Sequence, residues 1–267
     1  MKDRLDNLLV RKGFFQTRQK AQFAIENKNV KVNNNIVDKS SKQIEEDSKI
    51  EIVGEIMPYV SKGGLKLEKA INVFNINLEN KICVDIGAST GGFTDCMLQN
   101  GAIKVYAIDV GHNQLDKKIK NNEKVINLEG INIKNINIEE YEKVDFISID
   151  VSFISLTNVL EYANKLLKES GKVVVLIKPQ FEVGKELINK NGIVKNPLAH
   201  RKAIEKVADY AIELGLEFID LDYSPIKGSA GNIEYIAYLG QSNKMQDIHN
   251  LKLKIGNVVE KSHKELK

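Results

Sequence analysis

Residues 85 to 95 read Asp-Ile-Gly-Ala-Ser-Thr-Gly-Gly-Phe-Thr-Asp, between a short apolar run (Ile82, Val84) and Cys96-Met97-Leu98. A glycine-rich turn between a strand and a helix is where α/β proteins hold nucleotide-like cofactors, because glycine lets the backbone approach a ligand closely. Asp109 closes the next strand, where a ribose diol needs an acceptor, so the cofactor is expected to carry an adenosine ribose. A dinucleotide fingerprint requires Gly where Ser89 stands, and a phosphate loop requires Lys before Ser or Thr where Phe93-Thr94 stands. Both phosphate readings weaken. Asp85 would repel a pyrophosphate and suits the cationic amino-acid end of S-adenosylmethionine. The expected contacts of S-adenosylmethionine are Asp85, Gly87, Ser89, Gly91, Gly92, Phe93 and Asp109, and no metal ligand set is expected.

Three charges elsewhere interrupt apolar runs: Asp150 follows Phe146 to Ile149, Lys178 follows Val173 to Ile177, and Glu234 stands between Ile233 and Tyr235. Burying an unpaired charge costs several kcal/mol, so pairing among these groups is the economical arrangement. With Lys66 at a helix start, two lysines and two acids would form a neutral cluster. Taken singly, each has a plainer reading: a turn cap for Asp150, a surface lysine for Lys178, an edge-strand charge for Glu234, a solvated helix face for Lys66.

These residues need a scaffold that brings strand ends together. Strands are expected at 82–86, 104–109, 124–128, 144–150, 172–178, 217–223 and 233–239, with helical patterns such as 91–100 and 155–168 between the earlier ones. Such alternation implies an α/β fold, a mostly parallel seven-stranded sheet with helices on both faces, and reacting groups at the carboxyl ends of the strands. No helix fits between 223 and 233, so the last two strands should pair antiparallel, the feature that separates a methyltransferase sheet from a dehydrogenase sheet. Residues 1–54 read as a small separate α+β domain, 55–65 as a linker, 66–240 as the large domain, and 241–267 as a loop and a charged terminal helix of no assigned role.

The chain has 267 residues, 42% hydrophobic and 28% charged, as expected of a folded globular protein. No stretch approaches the roughly 18 apolar residues of a membrane span and the first residues lack a signal-peptide core, so a cytoplasmic location is expected. Cys83 and Cys96 have no metal or redox spacing and read as buried thiols. Net charge is +3, but residues 1–42 hold ten Lys or Arg against four acids. In that segment two short helices precede a hairpin, Val30 to Asp38 with an Asn-rich turn, and a returning strand at 49–53. Arg4, Arg11, Lys12, Arg18, Lys20 and Lys31 would make a cationic patch for RNA phosphates, against the alternative of a solvated basic face.

The opening Arg4-Leu-Asp, the Arg18 helix with Ala21 and the Val-Lys-Val-Asn hairpin resemble the small RNA-binding module of a ribosomal small-subunit protein, many pseudouridine synthases and tyrosyl-tRNA synthetases. Lys62-Gly-Gly-Leu-Lys-Leu67, Asp85 to Asp95, Asp150-Val-Ser-Phe-Ile-Ser-Leu156, Lys178-Pro-Gln-Phe-Glu182 and Gly231-Asn-Ile-Glu234 together resemble the TlyA family. Its members are ribosomal RNA ribose 2′-O-methyltransferases, some named haemolysins, with an FtsJ-like catalytic domain. The resemblance covers residues 1 to 240. It implies a catalytic tetrad of Lys66, Asp150, Lys178 and Glu234, S-adenosylmethionine as methyl donor, and 16S or 23S RNA within ribosomal subunits as substrate. A ribose hydroxyl is a poor nucleophile, so Lys178 is read as the base, the alternative being a lysine that orients the hydroxyl or stabilises developing oxyanion charge. The chain has no Trp, so the tryptophan of the family's linker motif has no counterpart. A base methyltransferase is disfavoured, because Asp150-Val-Ser-Phe replaces the Asn/Asp-Pro-Pro-aromatic sequence expected for an exocyclic amine. A membrane-active haemolysin is the alternative from another class.

Overall fold

The computed structural model describes residues 2–15, 17–54, 57–228, 230–241 and 245–266. Contacts divide the chain into two compact units at Lys62/Gly63. Glu55 and Ile56, at the start of the expected linker, lie outside the described residues, as do Ser242–Lys244 and Lys267 in the expected tail.

The first unit comprises β1 (Lys2–Arg4), α1 (Leu5–Arg11), α2 (Arg18–Glu26), β2 (Val30–Val32), β3 (Asn35–Ile36), β4 (Gln43–Glu45) and β5 (Ile50–Ile52). Thr17 caps α2 by accepting from the Lys20 amide. The β2–β3 hairpin turns through Asn33 and Asn34, at φ +50° and +65°, a left-handed pair that asparagine tolerates better than other side chains. β5 returns antiparallel to β2. The β1–β4 pair has no alternating apolar pattern to announce it. A core of Leu5, Leu8, Leu9, Ala21, Ala24, Ile25, Val30 and Val32 holds the helices to the hairpin.

The second unit begins with α3 (Gly63–Phe74), so the helix expected from Lys66 starts three residues earlier, inside the expected linker. There follow β6 (Ile82–Ile86), α4 (Gly92–Gln99), β7 (Lys104–Asp109), α5 (Lys117–Lys120), β8 (Val125–Glu129), β9 (Val144–Ile149), α6 (Leu160–Leu166), β10 (Leu167–Ile177), α7 (Pro179–Glu182), α8 (Pro197–Glu213), β11 (Leu216–Tyr223), β12 (Tyr235–Gln241) and α9 (Ile248–Glu265). The seven strands form one sheet in the order β11-β12-β10-β9-β6-β7-β8. β12 runs antiparallel to both neighbours and the remaining pairs are parallel. Central strands such as Val173–Ile177 are apolar throughout because helices cover both sides of the sheet. On one side α6, α8 and α9 pack Leu160, Ala163, Ile204, Val207, Leu251, Ile255 and Val259 over Val84, Ile147, Val175 and Tyr235. α9 is thus part of the core, and the role that the sequence leaves open is to close this layer. Residues 167 and 168, expected at the end of a helix, instead begin β10, where Leu167 pairs with Val144 before an irregularity resolved at Lys172. Burial, with the charges of Asp145 and Asp85 nearby, pushes the Cys83 thiol up to about 12, consistent with an inert buried cysteine.

The expected cationic patch of the first unit requires correction. Asp6 is 0% exposed and accepts hydrogen bonds from Arg4 Nε (3.1 Å) and Nη2 (3.0 Å), Arg18 Nε (2.8 Å) and Gln22 Nε2 (2.7 Å). Arg11 pairs with Asp3 and Glu46. Arg4 and Arg18 therefore brace the unit, because a buried carboxylate must be neutralised where it sits, whereas the acids that pair with Arg11 are themselves part-exposed. Lys12, Lys20 and Lys31 form no ion pair among the described residues. Burial would raise the Asp6 carboxyl, but the four donors overcome it and hold it well below the ordinary carboxylate range. Such a group adds stability above its unfolded value, near 4, and loses it as acid protonates the folded form. Asp6→Ala should lower stability by about 2 kcal/mol at neutral pH, with the difference shrinking at strongly acid pH; urea unfolding of both chains at pH 7 and pH 3 checks it.

Candidate active site

Sheet order brings the three interrupting charges together. β12, β10 and β9 are adjacent; Asp150 leaves β9 and Lys178 leaves β10 at their carboxyl ends, and Glu234 enters the antiparallel β12 at the same edge. The register aligns Ile177 with Tyr235, so Lys178 and Glu234 are each one residue beyond that pair, and it aligns Val175 with Ile149, so Asp150 leaves β9 just short of the level of Lys178. Lys66, in the first turn of α3, supplies the fourth group. Its Nζ lies 2.6 Å from Glu234 Oε2 and 3.8 Å from Asp150 Oδ2. Lys178 Nζ lies 2.6 Å from Asp150 Oδ1 and donates to Ser152 Oγ at 2.8 Å. The Lys178–Asp150 contact is an ion pair off the hydrogen-bond direction, since Asp150 Oδ1 accepts no directed bond. Burial alone would lower Lys66, but the charges of Asp150 and Glu234 outweigh it and hold the ammonium above the ordinary lysine value. The two cations and two anions thus compensate one another beneath the surface.

The glycine-rich turn sits beside this cluster. Asp150 N donates to Ile86 O at 2.9 Å, which locks the end of β9 to the end of β6. Gly87 has φ +85°, and a Cβ there would lie 2.4 Å from Asp150 O. Glycine is required twice over, for the left-handed conformation and for the approach of the Asp150 backbone. Gly91, the N-cap of α4 at φ +88°, similarly leaves room for Leu115 and Ile119. Ser89 is also left-handed, at φ +47°, and its amide donates to Asp109 Oδ2 at 2.7 Å. Asp109 Oδ1 accepts from Gly111 N, also at 2.7 Å.

Asp85, expected to touch a ligand, is 0% exposed, with Oδ2 accepting from Thr94 Oγ1 at 2.7 Å and Oδ1 from Ser148 Oγ at 3.0 Å. The expectation is corrected: the carboxylate faces the interior and ties α4 to β9. Burial pushes it up to about 6, against the two hydroxyl bonds and with the Asp150 charge adding to the rise. Gly92 and Phe93 are likewise buried, in the first turn of α4.

A family model of FtsJ-like methyltransferases matches residues 59–241, and an S4 domain model matches residues 3–50. "Putative rRNA methyltransferase YqxC" of Bacillus subtilis is 42% identical over 100% of this chain and 96% of its own length. "16S/23S rRNA (cytidine-2′-O)-methyltransferase TlyA" of Mycobacterium tuberculosis is 35% identical over 88% of this chain and 89% of its own. The chain belongs to the TlyA family of FtsJ-like methyltransferases. Among solved structures, "Putative hemolysin from Streptococcus thermophilus" matches this TlyA-family chain with TM-score 0.78 and 43% identity, covering 99% of this chain and 96% of that one. Among the described residues, no helix is long and apolar enough to cross a membrane.

Several residues of this TlyA-family site escaped sequence reasoning. Glu182 is buried and accepts from Leu156 N (2.8 Å), Ser155 Oγ (2.5 Å) and Lys206 Nζ (3.0 Å), fastening the 150–156 loop to the segment that carries Lys178. Tyr235, next to Glu234, meets His200 Nδ1 at 2.7 Å and Ser262 Oγ at 3.0 Å, and so anchors the start of β12 to α8 and α9. Burial lowers His200 to about 4, so it is a neutral partner at pH 7. An acid four residues after Lys178 was the one legible signal; the histidine and serine partners lie tens of residues away in sequence. Gly87→Ala should cost about 2 kcal/mol or more and displace Asp150, so chemical denaturation and methyl transfer should both register the change.

Proposed function

We propose that this chain transfers a methyl group from S-adenosylmethionine to a ribose 2′-oxygen of ribosomal RNA. The reading is carried by the paired cluster Lys66–Glu234 and Lys178–Asp150, placed next to a glycine turn in a chain of this family. The residues fit the cofactor: the left-handed glycines at 87 and 91 shape the tight turn between β6 and α4, and Asp109 stands beside it at the end of β7. A carboxylate has about four lone-pair sites, so Asp109 can take ribose hydroxyls while keeping its two amide donors. When bound, S-adenosylmethionine supplies a methyl group already activated on a sulfonium.

The protein's share is then to present the hydroxyl and to manage its proton. Lys66 is held charged by its two acids and serves as their counter-ion, which leaves Lys178 as the group to take the proton from the 2′-hydroxyl. Asp150 keeps that amine at the ends of β9 and β10. For RNA, the catalytic edge carries an exposed aromatic ring. Phe153 is 87% exposed at φ +66°, a conformation costly for a bulky residue, with Phe181 at a ring separation of 5.2 Å. A nucleobase can stack on such a face. Lys12, Lys20 and Lys31 supply charge for phosphates from the S4 domain.

Tritiated methyl transfer to 30S subunits, 50S subunits and naked ribosomal RNA, followed by alkaline hydrolysis, tests the reading. An alkali-resistant labelled dinucleotide is expected, whereas label in mononucleotides would establish base methylation. Lys178→Ala should abolish transfer and leave S-adenosylmethionine affinity within about twofold; turnover at the wild-type rate would remove Lys178 from the mechanism.

A further inference from the structure

Resting on that reading, we infer that Ser152 is a positioning residue that sets the direction in which the Lys178 amine meets the ribose hydroxyl. The observation is the division of the amine's neighbours. Lys178 Nζ has Asp150 Oδ1 at 2.6 Å on its buried side and Ser152 Oγ at 2.8 Å on its exposed side. The contact with Asp150 is electrostatic and off-line, whereas the contact with Ser152 is a directed hydrogen bond. An ion pair alone leaves the amine free to turn about its Cε–Nζ bond. A directed bond fixes that rotation.

The amine nitrogen is tetrahedral. Cε takes one position and the hydrogen on Ser152 Oγ a second; the Asp150 carboxylate draws a further hydrogen to its side without a directed bond, and one position remains. In the neutral amine this is the lone pair that accepts the 2′-hydroxyl proton, and in the ammonium that results it is the new N–H. Ser152 therefore selects which way the reactive position points, while making no bond to the reacting atoms.

The loop around Ser152 is held firmly enough to do this. At one end, Asp150 N is bonded to Ile86 O, and the Asp150 backbone is seated against Gly87. At the other, Ser155 Oγ and Leu156 N are bonded to Glu182, four residues after Lys178 in the same segment. The serine and the lysine it orients are thus tied to one another through two short paths. Between the ties, Phe153 holds a left-handed backbone conformation, the kind of local strain that persists where surrounding contacts over-determine it.

The test is steady-state methyl transfer to the ribosomal RNA substrate by the full chain, comparing wild type with Ser152→Ala and Ser152→Thr. Ser152 is exposed and caps no helix, so folding is spared. Ser152→Ala should lower kcat by about ten- to a hundredfold, the scale of a misplaced reacting group, with KM for RNA and for S-adenosylmethionine within about twofold. Ser152→Thr, which keeps the hydroxyl, should recover kcat to within about threefold. An unchanged kcat in Ser152→Ala, a loss confined to KM, or equal losses in both variants would overturn the inference. The alkali-resistant dinucleotide from wild type separates the two levels. Its absence overturns the ribose reading and this inference with it; its presence with full activity in Ser152→Ala overturns this inference alone.

Discussion

The compensation of charge at one edge of a parallel sheet governs this structure. Lys66, Lys178 and Glu234 are nearly withdrawn from water, and a carboxylate or ammonium left alone there would cost several kcal/mol. Each is tolerable only while its partners stay in place, so α3, β9, β10 and β12 must hold their relative positions. Rigidity of the catalytic edge and neutrality of the cluster are thus the same constraint.

A second constraint couples the cofactor turn to that edge. Gly87 lies against the backbone of Asp150, and the amide of Asp150 is bonded to the strand that leads into the turn. Asp85 reinforces the coupling from inside, joining Thr94 of α4 to Ser148 of β9. The turn that would hold the methyl donor and the acid that holds the lysine therefore move as one body, which an in-line transfer between two ligands requires. The small N-terminal unit uses the same physics differently. Asp6 draws Arg4 and Arg18 into structural pairs, while Lys12, Lys20 and Lys31 form no ion pair among the described residues.

Much of this was legible in the chain. Parallel strands covered on both faces must be apolar throughout, so their runs and the charges that end them stand out, and the left-handed turns demand glycine or asparagine at fixed places. Those signals located the seven strands to within a few residues, apart from the long start of β10, and marked Asp150, Lys178 and Glu234 as charges in need of partners. Local pattern also marked a hairpin with an Asn-rich turn between Val30 and Asp38, though not which asparagines turn it.

The tertiary structure alone decided which groups meet. Asp85 and Asp109 both end strands beside glycine, yet one is sealed inside by two hydroxyls and the other lies along the turn, a difference set by residues far away in sequence. The arginines of the first unit read as RNA ligands until a buried aspartate claims two of them, Arg4 of β1 and Arg18 of α2. The terminal helix reads as a charged tail until its apolar stripe is packed against α8 and β11. The sequence determined the fold class, the strand ends and the stock of charged groups, because periodicity and backbone restriction are local properties. Pairing and burial depend on distances between separate elements, which only the folded chain defines.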